Sequence, residues 1–361
     1  MGPPDPQTQK PILIIGAGVS GLLLAQYLRK TGSQVPVQVF ERDADLATRG
    51  LGWGLTLHWS LPALRSLLPE DLVARLPEAY VDRAAVDEGR PSTFPFYDLS
   101  TGELKAKTPT ASSHEKYHIP VRLMGVKLDC TPEEIEPLRK LDPFFLQGAA
   151  SQNDSFVYFS VLDAPSNTPE GNGGKYSCQM VVSWPIRDGF FNQTAPIVFP
   201  ETSAGGIALI KKFADTWAEP FRSLAHSIPS DTDVKYLELY DWPPPKGLRT
   251  TGHVALVGDA LHPMAMYRGE GANHAIVDVL DLAELVIPHL LRGTESAHPT
   301  AVDLRAALDR YEDRVVGRAR PAVLASRQAS LDAHQWARIN DKSPLLSRRA
   351  MNLAFDESDM M

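Results

Sequence analysis

Three glycines, Gly16, Gly18 and Gly21, stand between two apolar runs in PILIIGAGVSGLLLAQYLRK, residues 11–30. Glycines at this spacing suit the binding of a pyrophosphate. The first permits a tight turn, the second lets a phosphate approach the backbone, and the third lets a following helix pack close. Glu41 ends a run of alternating valines, Val35, Val37 and Val39, in VPVQVFER. An acid at the end of a second strand can accept hydrogen bonds from an adenosine ribose. A second cluster lies far along the chain. Gly258-Asp259 is followed by His262-Pro263 and then by Gly269, Glu270, Gly271, Ala272 and Asn273.

These groups need particular elements to hold them. Ile12 to Ile15 reads as a short apolar strand buried on both faces of a parallel sheet. Residues 21–29 read as a helix with Leu22, Ala25 and Leu28 on one face. Strand, glycine turn and helix N-terminus thus come in the order of a dinucleotide site, where free N–H groups face the phosphates. Residues 253–257 read as another apolar strand, running into Gly258. After the glycine-rich loop, Ile276, Val279, Leu280, Ala283 and Val286 give an amphipathic helix. The bland alternatives are a glycine-rich structural turn with Glu41 solvated, and Asp259 as a turn or capping residue.

Composition narrows the function classes. The 361 residues include 43% hydrophobic and 22% charged residues, an ordinary globular balance. A net charge of -8 disfavours nucleic-acid or anionic-membrane binding. Cys130 and Cys178 are the only cysteines, so neither a disulfide framework nor a CxxC pair exists, and a reducing, cytoplasmic setting is expected. The histidines show no zinc-type spacing, so no metal is expected. The window from Ile12 to Leu28 is short for a span and holds three glycines, so no membrane segment is expected. Residues 1–9 read as a disordered, proline-rich lead-in.

The GxGxxG turn, the FER strand end and GDALHPMAMYRGEGANHA together resemble the FAD-dependent aromatic hydroxylases, the group of p-hydroxybenzoate and salicylate hydroxylases. The resemblance is closest to the fungal FAD-dependent monooxygenases of secondary metabolism. It implies an α/β fold: a Rossmann-like FAD-binding domain, a mixed β-sheet substrate domain and C-terminal helices. The implied division is FAD-binding parts at 10–118 and 248–295, a substrate domain at 119–247 and helices at 296–361. It implies that Asp259 contacts the ribitol side of FAD, that Pro263 packs beside the flavin, and that Gly271, Ala272 and Asn273 line it. RGLGWGLTL, residues 49–57, resembles the stretch passing over FAD, where Arg42 and Gly54 match contact positions. Gly16, Gly18, Gly21 and Glu41 take the ADP half.

The implied reaction uses NAD(P)H and O2 to place one oxygen atom on an aromatic or polyketide-like small molecule. No catalytic acid or base is required by pattern, and none is assigned. His262, Tyr267 and Arg268 are candidates for orienting substrate, with loop scaffolding as the alternative. Phe144, Phe145, Tyr158, Tyr176 and Trp184 could line its pocket or simply fill the core. The oligomeric state is left open.

One departure stands out. Between TASSHEKYH and IPVRLMGV, near residue 118, several tens of the family's residues are absent. They include an FAD-contacting arginine and an Ala-Asp-Gly turn implicated in NAD(P)H use. Asp188-Gly189 is the only Asp-Gly in the chain, and it lies beyond the substrate-like strands. A second reading follows, a truncated and impaired FAD-binding remnant. A third, an NAD-linked dehydrogenase using GxGxxG alone, is disfavoured by the Gly-Asp loop. In the tail, Leu304, Leu308, Tyr311 and Val315 mark a helix that Pro321 should break or kink, and the last residues should fray.

Overall fold

The computed structural model describes residues 10–45, 54–89, 95–106, 117–167, 172–291 and 301–360. The lead-in at 1–9, residues 49–53 of the stretch over the expected FAD and most of the junction before residue 118 lie outside these.

Two sheets organise the chain. β1 (Ile12–Ile15) and β2 (Val37–Phe40) pair in parallel, with α1 (Val19–Lys30) between them. The second sheet contains β3 (Phe96–Asp98), β4 (Leu104–Ala106), β5 (Tyr117–Cys130), β6 (Phe145–Ala149), β7 (Phe156–Asp163), β8 (Tyr176–Pro185) and β9 (Val234–Asp241). Its order is β4-β3-β6-β7-β8-β5-β9, mixed because β3 and β6 run parallel. β3 and β4 fall inside the 10–118 span expected for the cofactor domain, yet they pair into this sheet. The expected boundary at 118 also falls inside β5.

Period-two alternation sorts this sheet's side chains. Cys178, Met180 and Val182 face one way, onto a core with α5 (Pro132–Arg139), α6 (Ser203–Ala214) and α7 (Phe221–Ser227). Phe156, Tyr158 and Ser160 face the other way. Of the aromatics weighed for the pocket, Trp184 sits fully buried in the first core, against Phe199 and Phe213. Tyr176 packs beside Arg139, whose guanidinium donates to its hydroxyl. Cys130 and Cys178 are buried free thiols on paired strands.

Short helices α2 (Leu61–Leu67), α3 (Glu70–Arg75) and α4 (Arg83–Asp87) follow β2, and α8 (Gly271–Leu285) and α9 (Ile287–Leu291) precede the tail. α10 (Ala301–Ala333) then runs for 33 residues, about 50 Å. Its first half buries Leu308, Tyr311 and Val315 in one core with α8, and its last turns bury Ala329 and Ala333 on the face of the large sheet that carries Leu123, Phe156 and Val181. One rigid helix therefore ties both halves together.

Four expectations fail here. β1 is not buried on both faces: Leu13 is 56% and Ile15 88% exposed, because the parallel sheet has only two strands among the described residues and helices cover one side. Residues 253–257 form no strand, since no neighbour among the described residues pairs with them. Pro321 does not break α10; Ala319, Ala322, Val323 and Leu324 around it are completely buried, and that packing outweighs the lost hydrogen bond. The C-terminus is tied down rather than frayed. Asp356 caps a final turn and pairs with Lys246, and Glu357 pairs with Arg320.

Candidate functional site: a cleft between two helix N-termini and a sheet face

The first wall is the turn after β1. Gly16 has φ +105°, a conformation that favours glycine. A Cβ on Gly21 would lie 2.0 Å from the Gly16 carbonyl oxygen, so α1 can approach β1 only with glycine there. A Cβ on Gly18 would meet nothing within 4 Å. α1 begins at Gly18 with no side-chain cap and no acid in its first turn. Its leading N–H groups and partial positive charge thus face the cleft. The Ala17 N–H donates to Glu41 Oε2 at 2.8 Å, and the Gly16 N–H to the Phe40 carbonyl at 2.7 Å, which fixes the turn against β2.

The second wall is the turn at Gly258-Asp259 and the start of α8. Gly258 has φ +61° and packs against Ser20 of α1 and Ala275 of α8. Its N–H donates to Asp278 Oδ2 at 2.8 Å. Asp278 is fully buried and also takes His262 Nε2 at 2.6 Å and Arg318 Nη2 at 2.7 Å. Burial alone would raise this carboxyl's pKa. His262, Arg318 and the Gly258 N–H outweigh burial and hold it well below the usual carboxylate range. Burial, with Arg318 nearby, pushes His274 far down. α8 also starts without a side-chain cap, so a second helix N-terminus opens on the same cleft.

The third wall is the face of the large sheet carrying Leu123, Gln147, Phe156, Tyr158, Gln179 and Val181. Gln147, Tyr158 and Val181 are direct cross-strand neighbours on β6, β7 and β8. Ala265 and Tyr267 close the end. The enclosed volume is about 610 Å³, in the range of small-molecule sites.

The cleft brings together Gly16, Gly18, Gly21, Gly54, Asp259, Gly271 and Ala272. Asp259 is exposed to it, with no hydrogen-bond partner among the described residues. Four expected contacts are not in its lining. Glu41 turns its carboxylate onto the backbone N–H groups of Ala17, Arg42 and Asp43. The Arg42 side chain points to solvent beside Asp43. Pro263 accepts the Trp242 N–H through its carbonyl. Asn273 is fully buried, and its amide accepts from Ser60 and donates to the Thr56 carbonyl, so it fastens residues 56–60 to α8.

Two of the three candidates for orienting substrate are likewise internal. His262 is held by Asp278. Arg268 is completely buried, paired with Glu270 and donating to Ser347 and the Pro344 carbonyl. Tyr267 does border the cleft, but its hydroxyl donates to Ser183 Oγ at 2.9 Å. Gln147, Gln179 and Met264 escaped the sequence reading. The available signal for Gln147 was a lone amide inside the apolar run FFLQGAA.

Comparisons bear on this geometry. The family of NAD(P)-binding Rossmann-like domains matches residues 14–56, the first wall. A protein of Arthroderma benhamiae named "Probable FAD-dependent monooxygenase" is 38% identical, over 97% of this chain and 97% of its own. The chain belongs to the FAD-dependent monooxygenases. FAD-dependent monooxygenase tazP of Aspergillus terreus is 29% identical over 77% of this chain and 89% of its own. Among solved structures, 2,6-dihydroxypyridine-3-hydroxylase of Arthrobacter nicotinovorans shares the fold at a TM-score of 0.61 and 15% identity, covering 98% of this chain and 99% of that one. Near-complete coverage of monooxygenase relatives favours the enzyme reading over the impaired remnant. The first alignment extends over 428 positions although this monooxygenase has 361 residues, so several tens of the relative's positions have no counterpart here.

Proposed function

We propose that this FAD-dependent monooxygenase oxygenates an aromatic or polyketide-like small molecule, using NAD(P)H and O2. The observation that carries the reading is the continuity of one cleft from two uncapped helix N-termini to an apolar sheet face. Bound FAD would supply electron transfer from NAD(P)H and the activation of O2. The residues present fit it. Open space above Gly18 admits a pyrophosphate, and the α1 N–H groups meet its charge. Gly16 and Gly21 shape that turn, with Glu41 bracing it near the ribose. Asp259 is placed to receive ribitol hydroxyls, and Gly54, Gly271 and Ala272 to line the flavin. Pro263 and Asn273 act behind the cleft surface, Asn273 by holding residues 56–60 in place, while Arg42 lies out in solvent.

The sheet wall does the remaining work. Phe156, Val181 and Leu123 exclude water and pack a ring. No helix among the described residues is long and apolar enough to cross a membrane. Buried free thiols at Cys130 and Cys178 fit a reducing compartment.

The test is the absorption spectrum of the purified protein with FAD stoichiometry after reconstitution, followed by NAD(P)H oxidation. About one equivalent of bound flavin is expected. A colourless protein that takes up no FAD would overturn the reading.

A further inference from the structure

We infer that Gln147 orients the substrate through its side-chain amide, and that the ring it receives carries an uncharged hydroxyl or carbonyl group at that point. The inference rests on the monooxygenase reading and names the chemistry of its substrate wall.

Gln147 is 2% exposed and lines the cleft, yet its side chain has no hydrogen-bond partner among the described residues. Buried amides are normally partnered, because a donor and an acceptor removed from water lose hydrogen bonds that must be replaced. Its surroundings supply no replacement. Tyr158 lies directly opposite on β7 and Ala149 two residues on along β6, both on the same sheet face. The second amide, Gln179, lies opposite Ser160 on the strand beyond and is equally unpartnered. β6 and β8 therefore turn two unpartnered amides, Gln147 and Gln179, toward one cavity. The rest of this wall is Leu123, Phe156 and Val181. Such a patch is complete only with a ligand that donates and accepts hydrogen bonds.

The charge of that ligand follows from its neighbours. An amide offers one acceptor and two donors and no net charge. Among the described lining residues Asp259 carries the only charge, and it is negative. A ring carboxylate would meet no described cation there and one anion across the cleft. A phenol or aryl ketone would be satisfied by Gln147 and Gln179 alone.

The experiment titrates purified holoenzyme calorimetrically with 2′,4′-dihydroxyacetophenone and with 2,4-dihydroxybenzoate, rings alike except for the ketone or carboxylate. FAD content is read from the absorbance of each sample. The ketone is expected to bind at least ten-fold tighter than the acid at neutral pH. Gln147→Leu should reduce ketone affinity about ten-fold and diminish the ketone-over-acid preference, with FAD content and melting temperature unchanged. If Q147L melts early, Gln147→Met, close in shape and uncharged, should show the same diminished preference. A tighter acid, no binding of either ring, or an undiminished preference in the variant overturns the inference. A wild-type protein without flavin instead defeats the monooxygenase reading, while the calorimetric preference still judges the sheet wall separately.

Discussion

At the scale of single residues, the glycine turn separates two roles that one motif combines. Gly21 is demanded by the protein itself, since a Cβ there strikes the Gly16 carbonyl. Among the described residues nothing demands Gly18. Gly21→Ala should therefore lower the melting temperature of the apoprotein and its FAD content together. Gly18→Ala should leave the apoprotein melt unchanged and weaken FAD binding ten-fold or more, measured by equilibrium titration; retained affinity would remove Gly18 from the cofactor site. Residue types made these glycines legible, because few other reasons place three of them between a strand and a helix. The same reasoning could not separate Asn273 and His262 from ligand contacts. Their polar character suggested a site, and only the fold shows that their partners are Ser60, Thr56 and Asp278. Gln147 was hidden for the opposite reason. One amide among apolar residues gives no sign of which sheet face it occupies until β6 is paired with β7.

At the scale of elements, α8 is both a wall of the cleft and an anchor. Asp278, two turns into it, holds the Gly258 turn, His262 and Arg318 at once. Asp278→Asn would leave Arg318 with only Asp281 as a buried carboxylate partner and should cost about 3 kcal/mol in urea unfolding, with loss of FAD. A change under 1 kcal/mol would show the network to be dispensable. Phe156, Tyr158 and Ser160 sort onto one sheet face and Cys178, Met180 and Val182 onto the other, as period two requires. Strand existence at 253–257 was not legible, because an apolar run reports burial and not whether a neighbour is there to pair. The continuity of α10 through Pro321 was invisible for a related reason: local propensity says nothing of the packing that overrides it.

At the scale of the whole molecule, α10 and the residues after it close the cleft from behind, and this closure carries a pH signature. His334 on that segment is buried, with Nδ1 toward the Ser330 carbonyl and Nε2 toward Ser183 Oγ, which also accepts from Tyr267. Burial lowers its pKa to about 4. Between about pH 6.5 and that value the unfolded chain binds a proton at His334 that the folded chain does not. Its contribution is therefore complete above pH 6.5 and falls as the solution is acidified through that window. His334→Gln should flatten the acid limb of stability by about 1.4 kcal/mol per pH unit, read from urea midpoints. An unchanged slope would place the acid sensitivity elsewhere. The far side of the molecule is different. β1 and β2 present Leu13, Ile15, Val39 and Phe40 to solvent, and no third described strand joins them. Amides at 12–15 and 37–40 should exchange with deuterium faster than those of β5 and β8, and saturating FAD should slow them. That two-stranded sheet also carries the cofactor turn, which links protein lifetime to vitamin supply. In a riboflavin-starved cell the empty chain would open there first and be degraded, so its abundance would follow flavin even at constant synthesis. Limited proteolysis with and without FAD decides the point: equal cleavage near residues 12–40 in both would break the link.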